Sequence, residues 1–128
     1  MSLLLDTHTF VWWVTKHPQL STRALAAIQN EAGDCFISAA TVYELTYKVG
    51  LGRFEAARAI ADRVYEVMQA NAFSPLPISL QHASVAAKLE ATHRDPFDRI
   101  LAAQAIVEKV IIVTADEAFA GLGAEVIW

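Results

Sequence analysis

The chain has 128 residues, 55% of them hydrophobic and 19% charged, with a formal net charge of −4. That length can bury roughly two-thirds of the unfolded chain's surface in one core, and the composition excludes a disordered chain. The acidic balance excludes binding of nucleic acid by bulk charge, and a single cysteine, Cys35, excludes an internal disulfide. If nucleic acid is a partner, something other than net charge must draw in phosphate, and a divalent cation is the candidate. No basic segment precedes Leu3-Leu4-Leu5 and no apolar run is long enough to cross a bilayer, so a cytoplasmic location away from membranes is expected.

In chain order, residues 2–5 form an apolar strand that ends at Asp6, and residues 9–15 and 21–30 read as helices. Cys35-Phe36-Ile37 is a second strand, with Cys35 as a small buried hydrophobe. Ser38 caps a helix that runs to about Val49, where Gly50 and Gly52 break it. Residues 54–70 repeat apolar positions at helical spacing and predict one amphipathic helix, and Ser74-Pro75-Leu76-Pro77 predicts a turn. Ser79 caps a helix through Leu89, and Asp95-Pro96 opens another, with Asp98 in its first turn. Val110-Ile111-Ile112-Val113 is a β-branched strand, and residues 125–128 make a short edge strand. Continuous apolar strands covered on both faces require a parallel sheet. The expected fold is a three-layer α/β/α sandwich with a central, mostly parallel sheet of four to five strands, as a single domain over residues 1–128.

In such a sheet the site lies beyond the carboxyl ends of the strands. Asp6 follows the first strand directly, Asp116 follows the β-branched strand by one turn residue after Thr114, and Glu44 lies about 9 Å along the helix that leaves the second strand. Asp98 opens a helix whose later positions are nearly all apolar. Taken singly, Asp6 and Asp95 read equally as helix caps, Asp116 as a turn residue and Glu44 as the partner of Lys48. Taken together, these acids need cations or protons, because two carboxylates about 4 Å apart repel by roughly 4 kcal/mol at an effective dielectric of 20. An all-oxygen set suits Mg²⁺ or Mn²⁺ rather than Zn²⁺. His8, His17, His82 and His93 lack ligand spacing and read as surface or internally satisfied histidines. Lys48, Arg94 and Arg99 are candidate phosphate contacts, or equally surface ion pairs and helix-end charges. Of the adjacent Trp12 and Trp13, one is expected in the core and the other nearer the surface.

The segments Leu4-Leu5-Asp6-Thr7-His8 with Trp12-Trp13, Ser38 to Glu44, Asp95-Pro96-Phe97-Asp98-Arg99 with Ala102-Ala103-Gln104-Ala105, and Val113-Thr114-Ala115-Asp116, in that order, resemble the PIN domain and within it the VapC-type ribonuclease toxins. The resemblance implies a Mg²⁺- or Mn²⁺-dependent endoribonuclease in which Asp6, Glu44, Asp98 and Asp116 match the acidic quartet. Asp95 matches an additional acid, an accessory ligand or a helix cap. Thr7 and Thr114 match hydroxyls that orient the carboxylates. It further implies an RNA substrate (tRNA, rRNA or mRNA) cut by metal-activated water, a toxin that inhibits translation, a cognate antitoxin and a homodimer.

Two other readings start from the same residues. A phosphatase or phosphotransfer domain of the receiver or haloacid dehalogenase type also sets aspartates at strand ends, although the second Asp of the dehalogenase pattern is His8 here. A non-catalytic interaction module with a relict acidic pocket is the other. His93-Arg94-Asp95 does not make a kinase loop, since the expected Asn is Ile100 and no Gly-rich loop occurs.

Overall fold

The computed structural model describes residues 1–30, 34–90 and 93–128. Five strands, β1 (Leu3–Leu5), β2 (Cys35–Ser38), β3 (Ser74–Leu76), β4 (Ile111–Val113) and β5 (Val126–Ile127), form one sheet in the order β3-β2-β1-β4-β5, with every pairing parallel. The helices are α1 (Thr7–Thr15), α2 (Thr22–Asn30), α3 (Ala39–Gly50), α4 (Arg58–Asp62), α5 (Val64–Ala70), α6 (Leu80–Lys88), α7 (Pro96–Glu108) and α8 (Ala118–Gly121).

Successive side chains of a strand point to opposite faces, and β1 divides the core accordingly. Leu3 and Leu5 join Cys35, Ile37, Ile111 and Val113 in a cluster with Phe10 of α1 and Leu45 of α3. Leu4 joins Ile112 with Leu101 and Ala102 of α7 and Phe119 of α8 on the other face. The expected three-layer sandwich is thus the observed one.

Two expectations are corrected. Residues 74–77 are not only a turn: Ser74–Leu76 pairs with β2 in the register Phe36↔Ser74, Ile37↔Pro75, Ser38↔Leu76. Pro75 lacks a donor, and an edge strand tolerates that because one of its sides has no ladder to complete. The segment 54–70 is not one helix. It runs as a 3₁₀ turn (Glu55–Ala57), α4 and α5, broken at Arg63, whose φ of −138° and ψ of 36° leave the helical region. Ile60, Val64 and Met68 remain buried through the break, so the apolar stripe survives although the helix does not.

The chain builds β1, β2 and β3 outward on one side and then returns to place β4 on the other side of β1. This makes the carboxyl ends of β1 and β4 a topological switch point, where a doubly wound sheet opens a crevice.

Candidate active site

The register Leu5↔Val113 brings the residues after β1 and β4, Asp6 and Thr114, side by side. Asp6 is the N-cap of α1, with its Oδ1 accepting the Thr9 N–H at 2.8 Å, while its Oδ2 accepts the Thr114 hydroxyl at 2.5 Å. One oxygen of Asp6 thus serves the cap of α1, and the other is tied to the residue that follows β4. The Thr9 hydroxyl donates to the Val113 carbonyl at 2.8 Å and ties α1 to β4. Thr114 Oγ1 also accepts the Asp116 N–H at 3.0 Å, and Asp116 Oδ1 accepts the N–H of Ala118 at 2.9 Å.

Ser38 ends β2 and caps α3 by accepting the Ala40 N–H. The helix carries Glu44 inward, where the side chain is buried and doubly held. The Thr7 hydroxyl donates to Oε1 at 2.6 Å and Lys48 Nζ donates to Oε2 at 2.6 Å. The i,i+4 pair is present as expected from spacing, but its acid is only 5% exposed.

From the opposite layer, Asp95 caps α7 by accepting the N–H groups of Phe97 and Asp98. Asp98 Oδ2 lies 2.8 Å from His93 Nε2. Burial pushes the Asp98 carboxyl up to about 6, helped by the neighbouring charges of Asp95 and Glu44 and opposed by the His93 hydrogen bond. Burial also raises Asp6, against the lowering hydrogen bonds from Thr114 and Thr9.

Asp6, Thr7, Glu44, Lys48, Asp95, Asp98 and Asp116 line one cleft of about 470 Å³, together with His8, Trp12, Ala115 and Phe119. Among the described lining residues Lys48 is the one Lys or Arg. Arg94 is exposed and does not line the cleft. Arg99 does not line it either. Its guanidinium donates to the carbonyls of Ala86, Leu89 and His93 at 3.1, 2.6 and 3.0 Å, clamping the segment between α6 and α7. Spacing alone overlooked His93 and His8, because neither sits at metal-ligand separation from another histidine. His82 is satisfied internally, in a capping box with Ser79 and a 2.8 Å contact to Glu108. Trp13 packs against the core and donates its indole N–H to Asn71, while Trp12 faces the cleft.

The donor set fits a hard divalent cation. Every acid of the cleft offers carboxylate oxygen, the chain's one thiol is buried in the core, and the raised Asp6 and Asp98 carry ionised charge at a cost that a cation relieves. Among the described residues no three His, Cys, Asp or Glu side chains are gathered into a ready cage. Each carboxylate is instead held by a protein partner. That suits Mg²⁺, which keeps several waters and binds through one or two carboxylates rather than through an all-protein cage.

Several solved structures share this architecture. They include VapBC2 from Rickettsia felis bound to a DNA fragment from its promoter (17% identity over 99% of this chain and 98% of that one, TM-score 0.72). DNA-bound VapBC from Salmonella typhimurium is 20% identical over 99% and 97%, TM-score 0.71, and a toxin–antitoxin complex from Klebsiella pneumoniae is 22% identical over 99% and 97%, TM-score 0.69. At these identities the likeness is one of fold. No curated protein matches the sequence. The family model of the PIN domain matches residues 3–125, a stretch that contains β1 to β4 and every acid of the cleft, and the chain therefore belongs to the PIN domain family, whose members are in general divalent-metal-dependent nucleases.

Proposed function

We propose that the protein is a Mg²⁺- or Mn²⁺-dependent endoribonuclease, a single catalytic domain over residues 1–128, and the VapC-type toxin of a toxin–antitoxin pair that inhibits translation by cutting RNA. The observation that carries this reading is the convergence of Asp6, Glu44, Asp98 and Asp116 on one cleft at the switch point between β1 and β4. Asp6, Asp98 and Asp116 are the residues to hold the ion, with Asp95 as accessory acid and cap. When bound, a divalent ion neutralises phosphate charge and activates water for attack in line.

The chain's own residues set the rest. Thr7 and Lys48 orient Glu44, which positions the attacking water or takes its proton. Thr114 and Thr9 hold the two oxygens of Asp6, and His93 holds Asp98. Lys48 is the phosphate contact within the cleft, and the carbonyl bonds of Arg99 give it a structural role instead. The 2′-hydroxyl has no required part, so the preference for RNA rests on the family likeness.

The VapBC and toxin–antitoxin complexes among the structural relatives support a cognate antitoxin as partner. Exposed Tyr43, Tyr47 and Leu51, spaced four residues apart on α3 and its end, offer apolar area to a second copy in a homodimer. No helix among the described residues is long and apolar enough to cross a membrane.

The test is to incubate total bacterial RNA with the purified protein and Mg²⁺ or Mn²⁺ and to sequence new 5′ ends, beside a chelator control and Asp98→Asn. New ends at a few sites, lost in both controls, are expected. No new ends in RNA that includes intact tRNA, rRNA and mRNA, with calorimetry showing the ion bound, would move the assignment to phosphotransfer or a non-catalytic module.

A further inference from the structure

Aromatic rings also line the cleft, among them His8 and Trp12 of α1. His8 and Trp12 stand one turn apart on the same face of α1, with ring centroids 5.7 Å apart. Phe54 lies against His8 at 5.0 Å and 31°. It does so from a left-handed backbone, φ 55° and ψ 48°, a costly conformation for a bulky residue. On its other sides Trp12 meets His17, stacked at 5.6 Å, and Trp128 at 5.8 Å.

Trp12 differs from its neighbour Trp13 in what it does for the fold. Trp13 packs on the core and its indole N–H is bonded to Asn71. Trp12 belongs to neither core cluster, and its indole N–H meets no hydrogen-bond acceptor among the described residues. Both Trp12 and the exposed His8 line the same cleft as Asp6, Glu44 and Asp98. From the Asp6 cap, Trp12 is about 9 Å along the helix axis.

Five carboxylates and one ammonium line the cleft, so where no bound cation offsets them the carboxylates repel a polyanion. A contact that does not depend on charge adds to what a cation and Lys48 supply at the phosphate, and stacking of bases on aromatic faces is such a contact. A base paired inside a duplex has no free face to offer.

We propose that His8 and Trp12 form a stacking site for a nucleobase that flanks the phosphate at the acids. The inference rests on the nuclease reading and goes beyond it by assigning a substrate-binding surface. A peptide segment is the competing occupant, but the continuity of the strip with the carboxylates favours the substrate itself.

The experiment measures steady-state cleavage of a single-stranded RNA oligonucleotide carrying a site mapped in total RNA. Companion oligonucleotides are made abasic at single positions on either side of the cut. For Trp12→Ala, KM is expected to rise about tenfold with kcat changed by no more than about twofold, the size of one lost base stack. Trp12→Phe, which keeps an aromatic face and the fold should the alanine variant melt, is expected to stay within about threefold of the parent. One abasic substrate should raise the parent's KM by the same factor and add nothing further in Trp12→Ala, as two halves of one contact do. An unchanged KM in Trp12→Ala, or a rise that is equal on every abasic substrate, overturns the inference. Unchanged KM together with lost inhibition by the co-encoded antitoxin assigns the strip to a protein interface and also overturns it. If the parent cuts no RNA at all, the nuclease reading falls and this inference with it, whereas a parent that cuts beside an unaffected Trp12→Ala refutes the stacking site alone.

Discussion

Thr114 donates its hydroxyl hydrogen to Asp6 across 108 residues of chain, and the same oxygen accepts the backbone N–H of Asp116. One small side chain thus sets the positions of two acids of the cleft. Thr114→Val keeps the shape and removes both bonds. Mn²⁺ affinity measured by calorimetry should fall about 10- to 100-fold, the usual cost of losing a group that orients a ligand, while the far-ultraviolet circular dichroism stays that of the parent. Parental affinity in the valine variant would show that Asp6 needs no such partner.

Asp98 links the site to pH. Burial raises its carboxyl to about 6 from an ordinary 3.8, so between those values the folded protein keeps a proton that the unfolded chain has released. Stability therefore falls as pH rises through that window, and above it ionised Asp98 is a burden on the metal-free fold. In chelator at neutral pH, Asp98→Asn should be more stable than the parent by on the order of 1 kcal/mol, allowing for the solvent that still reaches the group. That corresponds to a Tm gain of about 3 °C, and the difference should vanish near pH 4. A difference of equal size at both pH values would mean that the charge is not its source.

The same proton competes with a cation. Mn²⁺ affinity should be level at neutral pH and fall by about tenfold per pH unit once the pH drops below the Asp98 value. Removal of the ion by chelator should abolish cleavage and return Tm to its metal-free value. Titration calorimetry at pH 5 and pH 7.5 checks the first statement, and thermal melts with and without chelator check the second.

Lys48 holds Glu44 at 2.6 Å while keeping a third of its own side chain exposed. Lys48→Met leaves the buried carboxylate with Thr7 alone. Urea unfolding in chelator should show a loss of about 1–2 kcal/mol, and adding Glu44→Gln to that variant should recover most of it. If the double variant is no more stable than Lys48→Met, the pair is not the source of the loss.

Arg99 reaches three carbonyls with one planar fork, a geometry that an ammonium cannot copy. Arg99→Lys should cost about 1–3 kcal/mol, lowering Tm by roughly 3–10 °C. Cleavage per folded molecule well below Tm should stay at the parental level. A normal Tm with a raised KM would instead return Arg99 to the phosphate contacts.

The gap between sequence and structure follows from range. β1, β2 and β4 are legible as apolar runs, and Ser38, Ser79 and Asp95 as caps, because strand patterning and capping act within a few residues. The acids are legible for the same reason: Asp6 and Asp116 follow strands, and Asp98 sits one turn inside a helix. The strand at Ser74–Leu76 was not legible. Two prolines in four residues obey turn statistics, and only the unpaired outer side of β3 makes Pro75 acceptable there. The break at Arg63 leaves no trace in the apolar period, which continues across it.

The partners of the acids were less legible still. Thr7 meets Glu44 over 37 residues and Thr114 meets Asp6 over 108, separations that no local pattern spans. By itself the sequence determined the elements, their order and the acids at their ends, since these depend on periodicity, capping and burial along a short stretch of chain. Only the tertiary structure decided which hydroxyl, ammonium or imidazole holds each carboxylate, that Arg99 is spent on backbone and that Trp12 faces the cleft. Those outcomes depend on strand order and register, and one residue of slip in the β1–β4 register would part Asp6 from Thr114.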